Sequence, residues 1–140
     1  MNIWQRIKSK FRVAKNERRR NVAGLVFPLL CKVRGVKTAE RQGALAQSRA
    51  GDKLQLVHVA LKDYPHNVYV YNVPLNRVLG YLQRDLAEKL VYALGKGFCR
   101  DGEIENVTGE EYGTRGANIR IFDTAEAFSG ETDFSHLHGS

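Results

Sequence analysis

From residue 53 to residue 122 the apolar residues come in short runs cut apart by Gly, Pro and Asn. That spacing restricts this stretch to strands joined by turns, with one long helix among them. Residues 53–61 (KLQLVHVAL) alternate Leu54, Leu56 and His58 against Gln55, Val57 and Val59, the period of a strand. A loop centred on Pro65 leads to residues 67–73, where Tyr69 and Tyr71 share one face and Val68, Val70 and Asn72 the other. A turn at 74–76 begins a third strand over 77–82. Residues 83–94 change period: Leu86, Leu90 and Leu94 stand four apart and Gly95 is placed to end a helix. Residues 97–108 and 117–122 read as two more strands around a loop. Upstream, residues 23–36 are strand-like, and 40–50 form a short helix with Thr38 as N-cap and Gly51 past its end. Sequential strands joined by turns pair antiparallel, so the expected fold is mainly β with two or three helices, an α+β meander or small barrel.

The chain, 140 residues long, is one domain's worth. Its net charge of +7 is distributed unevenly. Residues 1–20 hold eight Lys/Arg against Glu17, the body to residue 122 is mildly basic, and residues 123–140 carry four acids and no Lys or Arg. The expected organisation is a basic arm over 1–21, a domain over 22–122 and a loosely ordered acidic tail. In the arm, Ile3, Trp4, Ile7, Phe11 and Ala14 recur at spacings of three and four, one apolar stripe on a basic helix. Such a helix can pack on the body, join subunits into a homo-oligomer, lie on a membrane surface, or offer cations to a polyanion.

The apolar stretch 22–31 follows basic residues as a signal peptide would. It is broken by Pro28, lacks a small-residue cleavage site, and is too short to span a bilayer. A cytoplasmic protein without a membrane partner is expected. Cys31 and Cys99 stand in no CxxC pair and near no His at ligand spacing, so neither a disulfide framework nor zinc is expected.

Catalytic signatures are absent: there is no GxGxxG, GxxxxGK[ST] or GxSxG, and no cofactor is implied. His58, inside an alternating strand, reads as a structural residue; His66 lies in a loop, and His136 and His138 in the tail. Asp101, Glu103 and Glu105 alternate and so are expected on one strand face, where acids can hold Mg²⁺ or simply be solvated. What remains is a binding surface. Single-strand recognition needs cations that follow phosphates and rings on which bases stack. The body interleaves them at Lys32, Arg34, Lys37, Tyr64, Tyr69, Tyr71, Arg77, Tyr81 and Arg84, with the shared face of Tyr69 and Tyr71 open to two readings, outside or in the core.

Three segments in order, KVRGVKTAERQ (32–42), GDKLQLV (51–57) and VLGYLQRDLAEKL (78–90), together with VTG at 107–109, resemble the HIRAN domain over roughly residues 22–122. That family's pattern has a V-x-G-V strand, a short helix led by RQ, a G-D-x-L-x-L strand, and G-Y-L-P-R-x-L-A opening its main helix. It occurs as the N-terminal module of some chromatin-remodelling helicases and as standalone bacterial proteins. The resemblance implies an OB-like antiparallel β-barrel with two helices. It further implies a non-catalytic module that binds single-stranded DNA, including 3′ ends or branched replication and repair structures. Carried over by position, Lys37 and Thr38 would supply a cation and a hydroxyl at the end of the first strand. Tyr64 would stack on a terminal base, Asn67 matches the Asn of the same loop, and Tyr81 and Arg84 would meet phosphate. Lys32 and Arg34 extend that basic line. One departure stands out: Pro65 occupies the place of the family's Asp that receives the 3′ hydroxyl, and a proline side chain cannot accept that hydrogen bond. Asp63 is near enough to replace it. The alternative is a protein-interaction or assembly module with a degenerate groove, joined through Trp4, Ile7 and Phe11. A third reading is an accessory nuclease built on the three acids.

Overall fold

The computed structural model describes residues 24–125, so the arm, with its expected helix, and the tail beyond residue 125, with His136 and His138, lie outside the described residues. The chain runs β1 (Leu29–Lys32), α1 (Ala39–Gln47), β2 (Lys53–His58), β3 (Val68–Asn72), β4 (Arg77–Tyr81), α2 (Arg84–Leu94), β5 (Cys99–Thr108) and β6 (Gly116–Ile121). A 3-10 turn at Glu110–Tyr112 lies in the loop before β6. All strand pairs are antiparallel, in the order β1-β6-β5-β2-β3-β4. The sheet curls into a half-barrel, the mainly β, OB-like α+β class expected from the sequence.

Local chemistry sets the boundaries. β1 begins only at Leu29, shorter than the expected 23–36 strand, because Pro28 has no N–H to give a ladder. Thr38 caps α1 as expected, its hydroxyl accepting from Arg41 N at 3.2 Å. The β3–β4 hairpin turns at Asn76, whose φ of 55° is one that Asn tolerates better than most residues. Its Asn72 is buried and ties three segments together. The Asn72 amide donates to Ser48 Oγ and Asp52 Oδ2, both at 3.1 Å, while its oxygen accepts from Leu75 N at 3.0 Å.

Two bulges steepen the curl. Leu79 is the extra residue where β4 pairs β3, and Glu105 where β5 pairs β6. The second falls inside the expected row of acids: Ile104 and Val107 both pack on the core, so Glu105 still faces away from it, as do Asp101 and Glu103. Those two are also engaged. Thr124 Oγ1 donates to Asp101 Oδ2 at 2.9 Å, and Arg120 pairs Glu103 at 3.0 Å. With Asp101 N donating to Thr124 O at 2.6 Å, the start of the expected loose tail is fastened to β5.

The two sheet faces differ in what covers them. Leu54, Leu56, Val68, Val70, Leu79, Ile104 and Ile119 form the main core with Ala44 and Leu45 of α1 and Ala87, Leu90 and Val91 of α2. Both helices therefore pack on one side. On the other side Val57, Val59, Tyr69 and Tyr71 form a second cluster. The paired tyrosines of β3 are buried there at 1% and 3% exposure, which removes them as a base-stacking surface.

Candidate functional site

β1 and β4 are the two edges of the sheet, and just past β1 they meet. Arg34 N donates to Tyr81 O at 2.7 Å and Tyr81 N to Arg34 O at 2.9 Å. This single bridge draws the half-barrel together. It needs glycine on both sides: a Cβ on Gly80 would overlap the Arg34 carbonyl oxygen and stand 2.7 Å from Val33 Cγ1. A Cβ on Gly35, whose φ is +65°, would run into the Tyr81 ring.

The start of α1 fixes the loop beside this seam. Arg41 Nη1 donates to Gly35 O at 2.7 Å, and its guanidinium carbon lies 5.7 Å from the Tyr81 ring centroid, within cation–π range. Gln42 donates through Nε2 to Val36 O at 2.7 Å and to Arg115 O at 2.9 Å, and its Oε1 accepts from Arg115 N at 2.8 Å. One side chain thus joins α1, the β1–α1 loop and the loop before β6. Replacing Gln42 by Leu strands two partly buried carbonyls and an amide. Urea denaturation is expected to show a loss of about 2–3 kcal/mol, since each abandoned group costs about 1 kcal/mol or more.

The resulting open cleft of about 490 Å³ is lined by residues 33–38 with Arg41 and Tyr81. Arg34, Lys37 and Arg41 give it three cations; no acid lines it. Tyr81 is one of the few large hydrophobic residues left exposed, at 38%. Thr38 lines the cleft too: its oxygen is used in capping, while its proton is free to donate outward.

Of the residues expected in a binding trough, the structure therefore gathers Arg34, Lys37, Thr38 and Tyr81. Lys32 is exposed on β1, two residues before Arg34 and on the same side of the strand, outside the cleft lining. Tyr64 and Arg84 form a neighbouring pair. The Tyr64 hydroxyl donates to Arg84 O at 3.2 Å, and the Arg84 guanidinium sits 4.8 Å from the ring centroid. Burial pushes the Tyr64 phenol up, Glu88 adds to this and Arg84 opposes it, so the group stays a donor. Arg84 follows Tyr81 by three residues, so their α-carbons are at most about 10 Å apart. Asn67 is different: it is 2% exposed and its amide donates to Val59 O at 3.3 Å, so it serves the loop from within. The residue missed from sequence is Arg41, although the RQ pair at the helix start was its signal.

His58 proves structural, as its strand position suggested. Its Nδ1 accepts from Gly97 N at 2.7 Å, so Nε2 carries the proton and donates to Pro65 O, also at 2.7 Å. The ring clamps the Tyr64 loop to the turn before β5. Cys31 and Cys99 are free thiols, and burial pushes Cys31 up to about 12 and Cys99 upward too. Among the described residues no cluster of three His, Cys, Asp or Glu could hold a metal ion. Nor, among them, is any helix long and apolar enough to cross a membrane.

No family model, curated protein or solved structure matches the chain. A concave site with three cations, a hydroxyl, an exposed aromatic face and no acid is complementary to a polyanion carrying flat apolar groups.

Proposed function

We propose that this chain is a nucleic-acid-binding module of the HIRAN type its sequence resembles, and that it holds single-stranded DNA in the cleft beside the Arg34–Tyr81 seam. The observation that carries the proposal is the meeting of Arg34, Lys37 and Arg41 around one exposed ring, Tyr81. In this arrangement the cations take successive phosphates, Thr38 donates to one of them, and a base stacks on Tyr81. Arg84, with the amide groups at the start of α2, carries the phosphate path onward. The Tyr64 loop supplies the end of the site. There the Pro65 carbonyl is already taken by His58, which leaves Asp63, exposed in the turn closed by the Leu61–Tyr64 bridge, to accept from a 3′ hydroxyl. The module binds and positions DNA, and its cleft needs no reaction to do so.

Fluorescence anisotropy with labelled single strands tests this. The unaltered protein should bind in a salt-sensitive way. Tyr81→Ala should weaken binding by about 1–3 kcal/mol, the worth of one stacked base, while Tyr81→Phe keeps the ring and most of the affinity. A 3′-phosphate in place of the 3′-hydroxyl should weaken binding if Asp63 receives the end. Absence of salt-sensitive binding to any single strand would overturn the proposal.

A further inference from the structure

Val57, Val59, Tyr69 and Tyr71 on the helix-free face are only 4%, 5%, 1% and 3% exposed. Their packed neighbours Leu61, Val73, Val78 and Cys99 come from the same strands and strand ends. A single sheet layer cannot hide its own face this completely, so a further layer covers it. Gln55, whose place in the β2 alternation puts it on this face, adds a second observation. It is 0% exposed and neither atom of its amide has a hydrogen-bond partner. Over Gln55, then, the cover shuts out water and places an apolar surface.

We infer that this cover is the apolar stripe of the chain's own N-terminal arm, Ile3, Trp4, Ile7 and Phe11. The stripe has the right length: residues 3–14 as a helix span about 17 Å. The four strands β5, β2, β3 and β4 are about 14 Å across from first axis to last. The tether reaches: residues 15–23 extend to about 30 Å, while a domain of this size has a radius of gyration near 13 Å. A tether this short gives the arm a local concentration of order millimolar, which favours its own domain over a second copy.

Trp4 is the sole tryptophan of the chain, so its fluorescence reports the arm alone. In the unaltered protein its emission should be blue-shifted from that of hydrated indole. Acrylamide should quench it several-fold less than in the urea-unfolded chain, and neither property should change on dilution. Val59→Lys places a charge at the end of the face and should shift the emission to the red with the far-UV circular dichroism unchanged. Water-like Trp4 emission in the unaltered protein would overturn the inference, as would protection lost on dilution, which would assign the cover to a second copy. Unchanged Trp4 emission in a folded Val59→Lys variant would overturn it too. Should that variant fail to fold, quenching and dilution of the unaltered chain still decide.

Discussion

Gly80→Ala is expected to cost the protein about 3–5 kcal/mol and to abolish the cleft. The new methyl would meet the Arg34 carbonyl and Val33 Cγ1. Neither is a flexible side-chain end: one is backbone in the seam, the other belongs to a side chain only 5% exposed in the core. Overpacking of this kind costs about 1–3 kcal/mol, and parting the seam forfeits two backbone hydrogen bonds worth about 1 kcal/mol each. Against the 5–15 kcal/mol that holds a typical domain together, that is a large share. Urea denaturation gives the number, and Gly43→Ala provides the control. Gly43 lies within α1 with nothing inside 4 Å of its would-be Cβ, and alanine there should be neutral or stabilising by up to about 1 kcal/mol. A Gly80→Ala protein as stable as the unaltered one would mean that the seam is not closely packed.

The double reversal Arg34→Glu with Lys37→Glu should have the largest effect on binding while leaving the fold intact. Both side chains are exposed, and neither takes part in an ion pair among the described residues. For single strands, each phosphate contact adds about 0.7 to the slope of log affinity against log salt, so losing two lowers the slope by about 1.4. Carried from 1 M down to 50 mM salt, that slope difference alone is on the order of 50-fold in affinity, before repulsion by the new carboxylates is counted. The loss should be similar for every base sequence, because phosphates carry no sequence information. Anisotropy titrations over a series of salt concentrations measure both quantities. Unchanged slope and affinity would place the DNA elsewhere.

Much of the architecture was legible because local signals and tertiary packing agree. Thr38, Asn76 and Gly95 mark ends that side-chain and backbone chemistry impose on their own, and the four-residue leucine spacing of α2 admits one reading. The alternation of β2 and β3 also gave the two faces correctly. It could not say which face is covered, because a strand buried on both sides still alternates in sequence. Val57, Val59, Tyr69 and Tyr71 were therefore indistinguishable from a solvent-facing aromatic row. The bulges at Leu79 and Glu105 were invisible for a related reason: an extra residue changes pairing without changing composition. In the site, Arg34, Lys37, Thr38 and Tyr81 could be singled out as residue types. Their meeting depends on the closure of two edges far apart in the chain, which no local pattern encodes. Arg41 and Gln42 show the converse. Their adjacency was plain, but its purpose, holding Gly35, Val36 and Arg115 in place, is visible only in three dimensions.

The groove is built beside the join between the first and fourth strands. Arg34, Lys37 and Arg41 stand on one lip and Tyr81 on the other, so a polymer laid along them laces the lips together. Grip and closure then become a single event. Under the proposed binding mode, a strand held across both lips favours the closed seam, and parting the seam weakens the hold.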